Sequence, residues 1–348
     1  MPGRLPAGPV ETAPPGAVGA GAGGPVGGSA VAGAGRDAGA GAVEGAGRAA
    51  AHDGSADSAS RGAASRAADA ASAGSGVEAL LEQLASLPSL MVAFSGGADS
   101  AFLLAAAVRA LGPERVEAAT AVSPSLPRAE LERARAFAEG LGVVHHAPTT
   151  DELSREGYRA NAGDRCFFCK TELMSVVGPL AEARAIAAVA TGTNADDLAA
   201  GFRPGIRAAA GAGAITPLAD AGLTKAEIRA ASKEWGLATW DKPAAACLAS
   251  RIAYGVEVTA AGLRRVAEAE EALREAFGRA AIPVRNLRVR DMGGGTAKVE
   301  VDAELVPAVA ERPSLLEAVT GFAEVRLDSQ GFRSGAMNEL LPDPERYR

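Results

Sequence analysis

Three cysteines and one serine–glycine stretch carry most of the chemistry open to this chain. Cys166 and Cys169 stand three positions apart in "GDRCFFCK", and Cys247 follows far downstream in "KPAAACLASR". Thiolates serve as metal ligands or redox partners, whereas buried thiols in apolar surroundings are inert packing groups. All three readings are open on spacing alone.

The second chemical element is "SGGADS", Ser95 to Ser100. Leu90–Phe94 before it is a short apolar run suited to a strand buried on both faces. Ala101–Leu111 after it reads as a helix that stops at Gly112. At a strand–glycine–helix junction the first N–H groups have no intrahelical partner, and the helix dipole favours an anion there. Gly96 and Gly97 let a phosphate approach the main chain, and the Ser95 and Ser100 hydroxyls add donors. Asp99 is too negative to bind phosphate itself and is read as a Mg²⁺ partner. The plain alternative is a turn with a serine cap. The Lys of the G-x-x-x-x-G-K-[ST] loop is missing, so this is not a Walker site. S-G-G-x-D-S resembles instead the motif of the PP-loop ATP pyrophosphatases, which cleave ATP between the α and β phosphates to adenylate an acceptor.

These residues need a scaffold, and the downstream pattern supplies one. "VEAATAVS", "VVHHAP" and "IAAVATGTNADDL" each hold a strand, separated by helical stretches in "RAELERARAFAEGLG" and "CKTELMSVVGPLAEARA". Alternating strands and helices imply a parallel sheet covered on both faces. Ligands in such sheets bind beyond the carboxyl ends of the strands. Ser95, Ser123 and the "TGTNADD" turn, with Gly192, Thr193, Asn194, Asp196 and Asp197, all fall at strand ends. His145 and His146 lie within a strand, where a structural imidazole outweighs a ligand. After Gly255, "TAAGLRRVAEAEEALREAFG" is a long amphipathic helix. "VRNLRVRDM" and "AKVEVDA" read as two strands joined by Gly293–Gly295, followed by helical turns at Pro307 and Pro313 and a strand in "AEVRLDS". Arg288 and Arg290, two apart, share one face of their strand and could clamp a phosphate; the alternative is a solvated polar face.

Composition narrows the class. Within residues 1–76 the stretch "GAVGAGAGGPVGGSAVAGAGRDAGAGAVEGAG" is almost wholly Ala, Gly, Ser and Pro, without a large apolar side chain, and cannot bury enough surface to offset the entropy of ordering. Its G-x-G-x-x-G match (Gly19, Gly21, Gly24) has no strand before it and is discarded. No basic start with a leucine-rich core marks a signal peptide, and from Val77 onward no uncharged run of 18 residues predicts a membrane span. The expectation is a cytoplasmic protein with no membrane partner. The formal net charge of −7 argues against a grip on a long polyanion, so no nucleic-acid partner is expected.

Six stretches occur together in the order seen in the LarE family of ATP-dependent sulfur transferases, which help make the nickel-pincer nucleotide cofactor. They are "SGGADS", "GDRCFFCK", "TGTNADDLAAGFRPGIRAA", "PLADAGLTKAEIRAASKEWGLATWDKPAAACLASRIAYG", "LRVRDMGGGTAKVEV" and "EVRLDSQGFRSGAMN". The resemblance implies that ATP adenylates the carboxylates of pyridinium-3,5-biscarboxylic acid mononucleotide, and that sulfur then displaces AMP to give thiocarboxylates. Cys247 matches the family's sulfur-handling cysteine. In one group of members it surrenders its own sulfur and becomes dehydroalanine. In another, two further cysteines join it around a [4Fe-4S] cluster whose open iron carries an extra sulfide, and the C-x-x-C here is similar to that group. Closed zinc sites want four ligands, against three thiolates here with no histidine near, while three cysteines on a cubane leave one iron open. A C-x-x-C redox pair remains the other contender.

The resemblance also implies that Arg288 and Arg290 bind the substrate phosphate. Glu300 and Asp328 match acidic residues of the active region, and Arg251 is a candidate to stabilise the acyl-adenylate phosphate. Relatives form homo-oligomers. The "DMGGG" loop departs from the histidine-bearing turn of many relatives. The expected fold is α/β: a low-complexity tail (1–76), a parallel-sheet PP-loop domain of the adenine nucleotide alpha hydrolase-like type with the cysteine site (77–256), and a smaller α+β C-terminal domain (257–348). Expected cofactors are ATP, Mg²⁺ and a [4Fe-4S] cluster; partners are a small pyridinium mononucleotide and an unknown sulfide donor. A tRNA thiolation enzyme, a non-catalytic AMP-binding carrier and a sacrificial Cys247 are the competing readings.

Overall fold

The structure, a computed structural model, describes residues 74–200, 204–243 and 246–341. The expected tail lies outside these residues except for 74–76, which begin the first helix. All described residues belong to one compact unit.

Helix α1 covers 74–85. Strand β1 (Leu90–Ala93), helix α2 (Ala98–Leu111), β2 (Val116–Ala119), α3 (Arg128–Gly140) and β3 (Val144–His146) follow. Next come α4 (Glu156–Arg159), α5 (Arg165–Ala183), β4 (Ala188–Thr191) and the short helices α6 (Ala195–Ala199), α7 (Pro204–Gly211) and α8 (Pro217–Asp220). Helix α9 spans Lys225–Glu234 and α10 spans Ala260–Arg279; β5 (Leu287–Asp291), β6 (Thr296–Val301), α11 (Val306–Ala310) and β7 (Glu324–Leu327) complete the order.

The first four strands form one parallel sheet, ordered β3-β2-β1-β4. Side chains alternate across it. Leu90, Val92 and Phe94 join Leu80 and Leu84 of α1, Phe102 and Leu104 of α2 and Ile228 of α9 in the main core. Met91 points the other way, onto Val177 and Ala181 of α5. The chain leaves β1 toward β2 and β3 and then returns to β1's other side at β4. The crevice at such a reversal, beyond the strand ends, is where ligands bind in open α/β sheets.

The second sheet has the order β5-β6-β7. β5 and β6 are antiparallel, with Arg288 opposite Glu300 and Arg290 opposite Lys298. β7 runs parallel to β6, so α11 and the 3₁₀ turn Pro313–Ala318 supply the crossover. Leu273 and Phe277 of α10 pack on Leu287, Val289, Val299 and Val301. A third apolar cluster holds Tyr158, Leu248, Ile252, Val258, Leu263 and Val266, with Phe168, Cys169 and Cys247 packed against it. The α/β class with a parallel sheet and a separate small mixed sheet therefore matches the expectation.

Two boundaries differ from the sequence reading. Helix α2 starts at Ala98, so Asp99 and Ser100 lie in its first turn. Helix α5 starts at Arg165 rather than Cys169, which puts both cysteines of the C-x-x-C on it, one turn apart.

Candidate functional site

A recess of about 200 Å³ lies at the carboxyl ends of β1 and β4, lined by Ser95, Gly97, Asp99, Ser100, Gly192 and Thr193 together with Lys170 and Asp197. The junction is built tightly. Gly96 adopts a left-handed φ of 69°, a conformation that glycine enters at little cost. At Gly192 a Cβ would stand 2.8 Å from the Ser100 nitrogen, so only glycine lets β4 come this close to the N-terminus of α2. Ser95 Oγ lies 3.0 Å from Ser100 Oγ, and the Gly97 N–H donates to Ser95 Oγ at 3.3 Å.

Charge is concentrated here. Burial and the Asp197 carboxylate push the Asp99 carboxyl above its ordinary range, against the pull of Lys225, Arg229 and Asn194. Asn194 is fully buried and caps α6 by accepting from the Asp197 N–H at 3.0 Å. Lys225 Nζ donates to Asp197 Oδ1 at 2.8 Å. Lys170 is the residue that the sequence reading missed: a lysine in a helix reads as surface, yet it faces this recess. Burial pushes its ammonium below the usual lysine range. Of the expected nucleotide ligands, Ser123 lies apart, with its Oγ 2.9 Å from Ser125 Oγ.

The same helix that presents Lys170 carries Cys166 and Cys169. Cys247 arrives on a different segment, held on both sides. On one side the Leu248 N–H donates to the Ser125 carbonyl at 2.9 Å, at the loop after β2. On the other, Arg290 Nη1 donates to the Ser250 carbonyl at 2.9 Å, and the Ala253 N–H donates to the Asp291 carbonyl at 2.9 Å. Asn161, buried with φ 53°, joins this segment to the approach of α5: its amide donates to the carbonyls of Ala253 and Val256 at 2.8 Å, and its Oδ1 accepts from Arg165.

The three thiols share one electrostatic neighbourhood. Burial pushes Cys169 up, and Cys247, Glu152 and Cys166 push it further. Cys166 keeps solvent contact; desolvation by the surrounding protein still raises its thiol, Arg165 opposes the rise and Cys247 adds to it. Beside them Tyr158 is buried, its hydroxyl near Ser125 but met by no atom of the described residues at hydrogen-bonding geometry. Thiols raised by one another, next to an orphaned O–H donor, fit a bound group that takes up thiolates and offers sulfur acceptors. No group of three or more His, Cys, Asp or Glu among the described residues is arranged around a single metal ion. Each cysteine of a cubane binds a different iron, so such a cluster does not need that arrangement.

The remaining expected residues lie in or beside the second sheet. Arg288 and Arg290 are 6% and 5% exposed, so their strand face is not solvated. Arg290 is paired with buried Glu300 through Nε at 3.0 Å and Nη2 at 2.7 Å. Lys298 bridges Glu300 at 3.2 Å and Asp328 at 2.7 Å. Arg288 borders a second, larger cleft of about 1300 Å³, together with Gly96, Lys242, Arg251, Arg274 and Arg285. Burial and the Arg251 guanidinium push Arg288 down to about 10, which leaves it charged at neutral pH. Arg251 itself is committed to Glu270 and to the carbonyls of Ala246 and Cys247. His146 Nε2 pairs with Glu117 at 2.6 Å, and His145 Nε2 lies 2.8 Å from the Thr120 hydroxyl.

No family model matches the chain. An uncharacterized protein of Synechocystis sp. is 40% identical over 272 residues, spanning 77% of this chain and 98% of that protein. An uncharacterized protein of Methanocaldococcus jannaschii is 28% identical over 176 residues, or 50% of this chain and 66% of that protein. The pyridinium-3,5-bisthiocarboxylic acid mononucleotide synthase of Lactiplantibacillus plantarum is 32% identical over 265 residues, or 75% of this chain. Because that identity extends over 93% of the synthase, this chain belongs to the LarE family.

Proposed function

We propose that this chain is an ATP-dependent sulfur transferase that converts the carboxylates of pyridinium-3,5-biscarboxylic acid mononucleotide to thiocarboxylates, with sulfur delivered from a three-cysteine [4Fe-4S] cluster bearing an extra sulfide. The observation that carries this reading is the sharing of α5: Lys170 lines the recess behind "SGGADS", and Cys166 and Cys169 sit within one turn of it. Activation and sulfur delivery thus meet at one helix end.

A carboxylate is a poor electrophile, so its oxygen first attacks the α-phosphorus of ATP and pyrophosphate leaves. The N–H groups of the α2 first turn, the Ser95 and Ser100 hydroxyls and the Lys170 ammonium face the departing charge. Asp99, with Asp197 beside it, would hold Mg²⁺, which would offset the negative charge of the phosphates. Sulfide then attacks the acyl carbon, and AMP leaves with the former carboxylate oxygen. Cys166, Cys169 and Cys247 would hold the cluster, which supplies an iron free of protein ligands for that sulfide. Tyr158 offers its O–H to sulfur, and the apolar cluster around Leu248 and Ile252 excludes water from the acyl-adenylate.

A second reading uses Cys247 alone, which lies on a segment of its own, apart from the helix of Cys166 and Cys169, with its carbonyl held by Arg251 at 3.2 Å. There the Cys247 thiolate displaces AMP from the acyl-adenylate to form a thioester, and removal of the Cys247 α proton with Cβ–S cleavage releases the thiocarboxylate and leaves dehydroalanine.

Anaerobically reconstituted protein, ATP and the biscarboxylate mononucleotide test both readings. Expected are pyrophosphate release that depends on the mononucleotide, a sulfur-for-oxygen mass change in the product, and several turnovers with added sulfide. A single turnover with loss of H₂S from the Cys247 peptide selects the second reading. No pyrophosphate with this substrate overturns both.

A further inference from the structure

The Gly96–Gly97 peptide separates the two cavities. Gly96 borders the large cleft, and Gly97 borders the small recess. On the cleft side, Lys242 Nζ donates to the Gly96 carbonyl at 2.8 Å and to Glu130 Oε2 at 2.6 Å. Neither side chain is exposed, at 16% and 13% of its surface. Burial alone would raise the Glu130 carboxyl, but hydrogen bonds from Lys242 and Arg133 hold it below its usual range.

A trans peptide is planar, with its C=O and N–H pointing in opposite directions. Fixing the Gly96 oxygen toward Lys242 therefore aims the Gly97 N–H away from the cleft, at the recess. Glycine on both sides leaves this peptide free to turn by sterics alone, so its hydrogen bonds select its orientation: the Gly97 N–H to Ser95 Oγ at 3.3 Å within the loop, and the charged Lys242 donor on the Gly96 carbonyl from outside it. A cation on the carbonyl also polarises the amide and strengthens the N–H as a donor. Lys242 is itself anchored: Arg229 donates to the carbonyls of Trp240 at 3.0 Å and Lys242 at 2.8 Å, and Arg285 donates to that of Asp241 at 2.7 Å. Five residues later the chain reaches Cys247.

We infer that Lys242 is a positioning residue for the phosphate-binding loop: it holds the Gly96 peptide with the Gly97 N–H on the recess side, beside the Ser95 hydroxyl that accepts from it, and so joins ATP binding to the segment that carries Cys247. The inference rests on the reading of that recess as the ATP site.

The test measures binding of Mg·ATP with an α,β-methylene bridge, by calorimetry, to the unaltered protein, Lys242→Met, Lys242→Arg and Glu130→Gln. Steady-state KM values for ATP and for the mononucleotide accompany it. A hydrogen bond from a charged donor contributes about 1.5–3 kcal/mol, so Lys242→Met should weaken nucleotide binding at least about tenfold. Its KM for the mononucleotide should stay within about twofold, and Lys242→Arg should restore most of the nucleotide affinity. In the unaltered protein the nucleotide should slow alkylation of Cys247, and in Lys242→Met this protection should be lost. Should Lys242→Met not fold, Glu130→Gln, which frees the lysine, should show the same selective loss in weaker form.

Unchanged nucleotide affinity in a folded variant, or equal weakening toward both substrates, would overturn the inference and leave the lysine as framework. An unaltered protein that binds no nucleotide would overturn the ATP reading as well, which separates the two failures.

Discussion

Arg251 and Glu270 form a buried ion pair, Nε to Oε1 at 2.8 Å and Nη2 to Oε2 at 3.2 Å, while the third guanidinium nitrogen donates to the Ala246 carbonyl at 2.5 Å and that of Cys247 at 3.2 Å. Glu270 Oε1 also accepts from the Val289 N–H at 3.2 Å. Helix α10, strand β5 and the Cys247 segment therefore meet on one arginine. Removing one partner of a buried pair strands the other charge, at a cost of about 3–5 kcal/mol. Urea unfolding of Arg251→Met should show a loss of that order, and Arg251→Met with Glu270→Leu should recover part of it. A loss below about 1 kcal/mol would mean that the pair is solvated in solution.

Asp99 opposes stability at neutral pH. A carboxyl whose folded pKa is raised contributes stability below its ordinary value of 3.8 and loses it as pH rises through the raised value. At neutral pH the ionised form is therefore disfavoured in the fold. Asp99→Asn should raise the thermal midpoint at pH 7 and abolish pyrophosphate release. A lower midpoint would show that the carboxylate is better compensated than its burial and Asp197 allow.

Tyr158→Phe separates packing from sulfur chemistry. The ring stays and an unsatisfied hydroxyl goes, so the iron-free protein should be as stable or more stable. In the reconstituted protein, losing a hydrogen bond to sulfur should make the cluster's reduction potential more negative. An unchanged potential, read by spectroelectrochemistry, would remove Tyr158 from the site.

Glu117 on β2 ties the edge strand β3, through His146 at 2.6 Å, to the C-terminal end of α5, through Arg184 at 2.7 Å. Hydrogen bonds from Arg184 hold its pKa below the ordinary 4.5, against burial, with His146 helping. A depressed carboxylate contributes stability above its ordinary value and loses it as pH falls through the folded one. Glu117→Gln should therefore be less stable than the unaltered protein at pH 6, and the difference should shrink on titration below pH 4.5. A difference independent of pH would argue for packing rather than charge.

What the sequence revealed followed local periodicity. "SGGADS" between an apolar run and a helix, and the turn after "AVAT", locate the recess because a parallel sheet puts both at strand ends. The start of α5 was hidden because Gly163 and Asp164 look like loop and two phenylalanines look like strand. "LRVRD" reads as a strand with one polar face, yet all five residues are buried. Helix α10 covers its apolar face, and the Cys247 segment, far away in sequence, meets the other. Lys170, the Lys242–Gly96 contact and the β3-β2-β1-β4 order escape for the same reason: each depends on partners brought together only by tertiary folding.

The attachment of the Cys247 segment to Ser125 on one side and to β5 on the other leaves Cys247 little room to swing. A pyridinium ring with carboxylates at two positions presents two targets to one fixed sulfur. The ring must therefore do the turning. After the first exchange it rotates about its own long axis or departs and re-enters, so a half-converted nucleotide should accumulate and be captured when substrate is in excess.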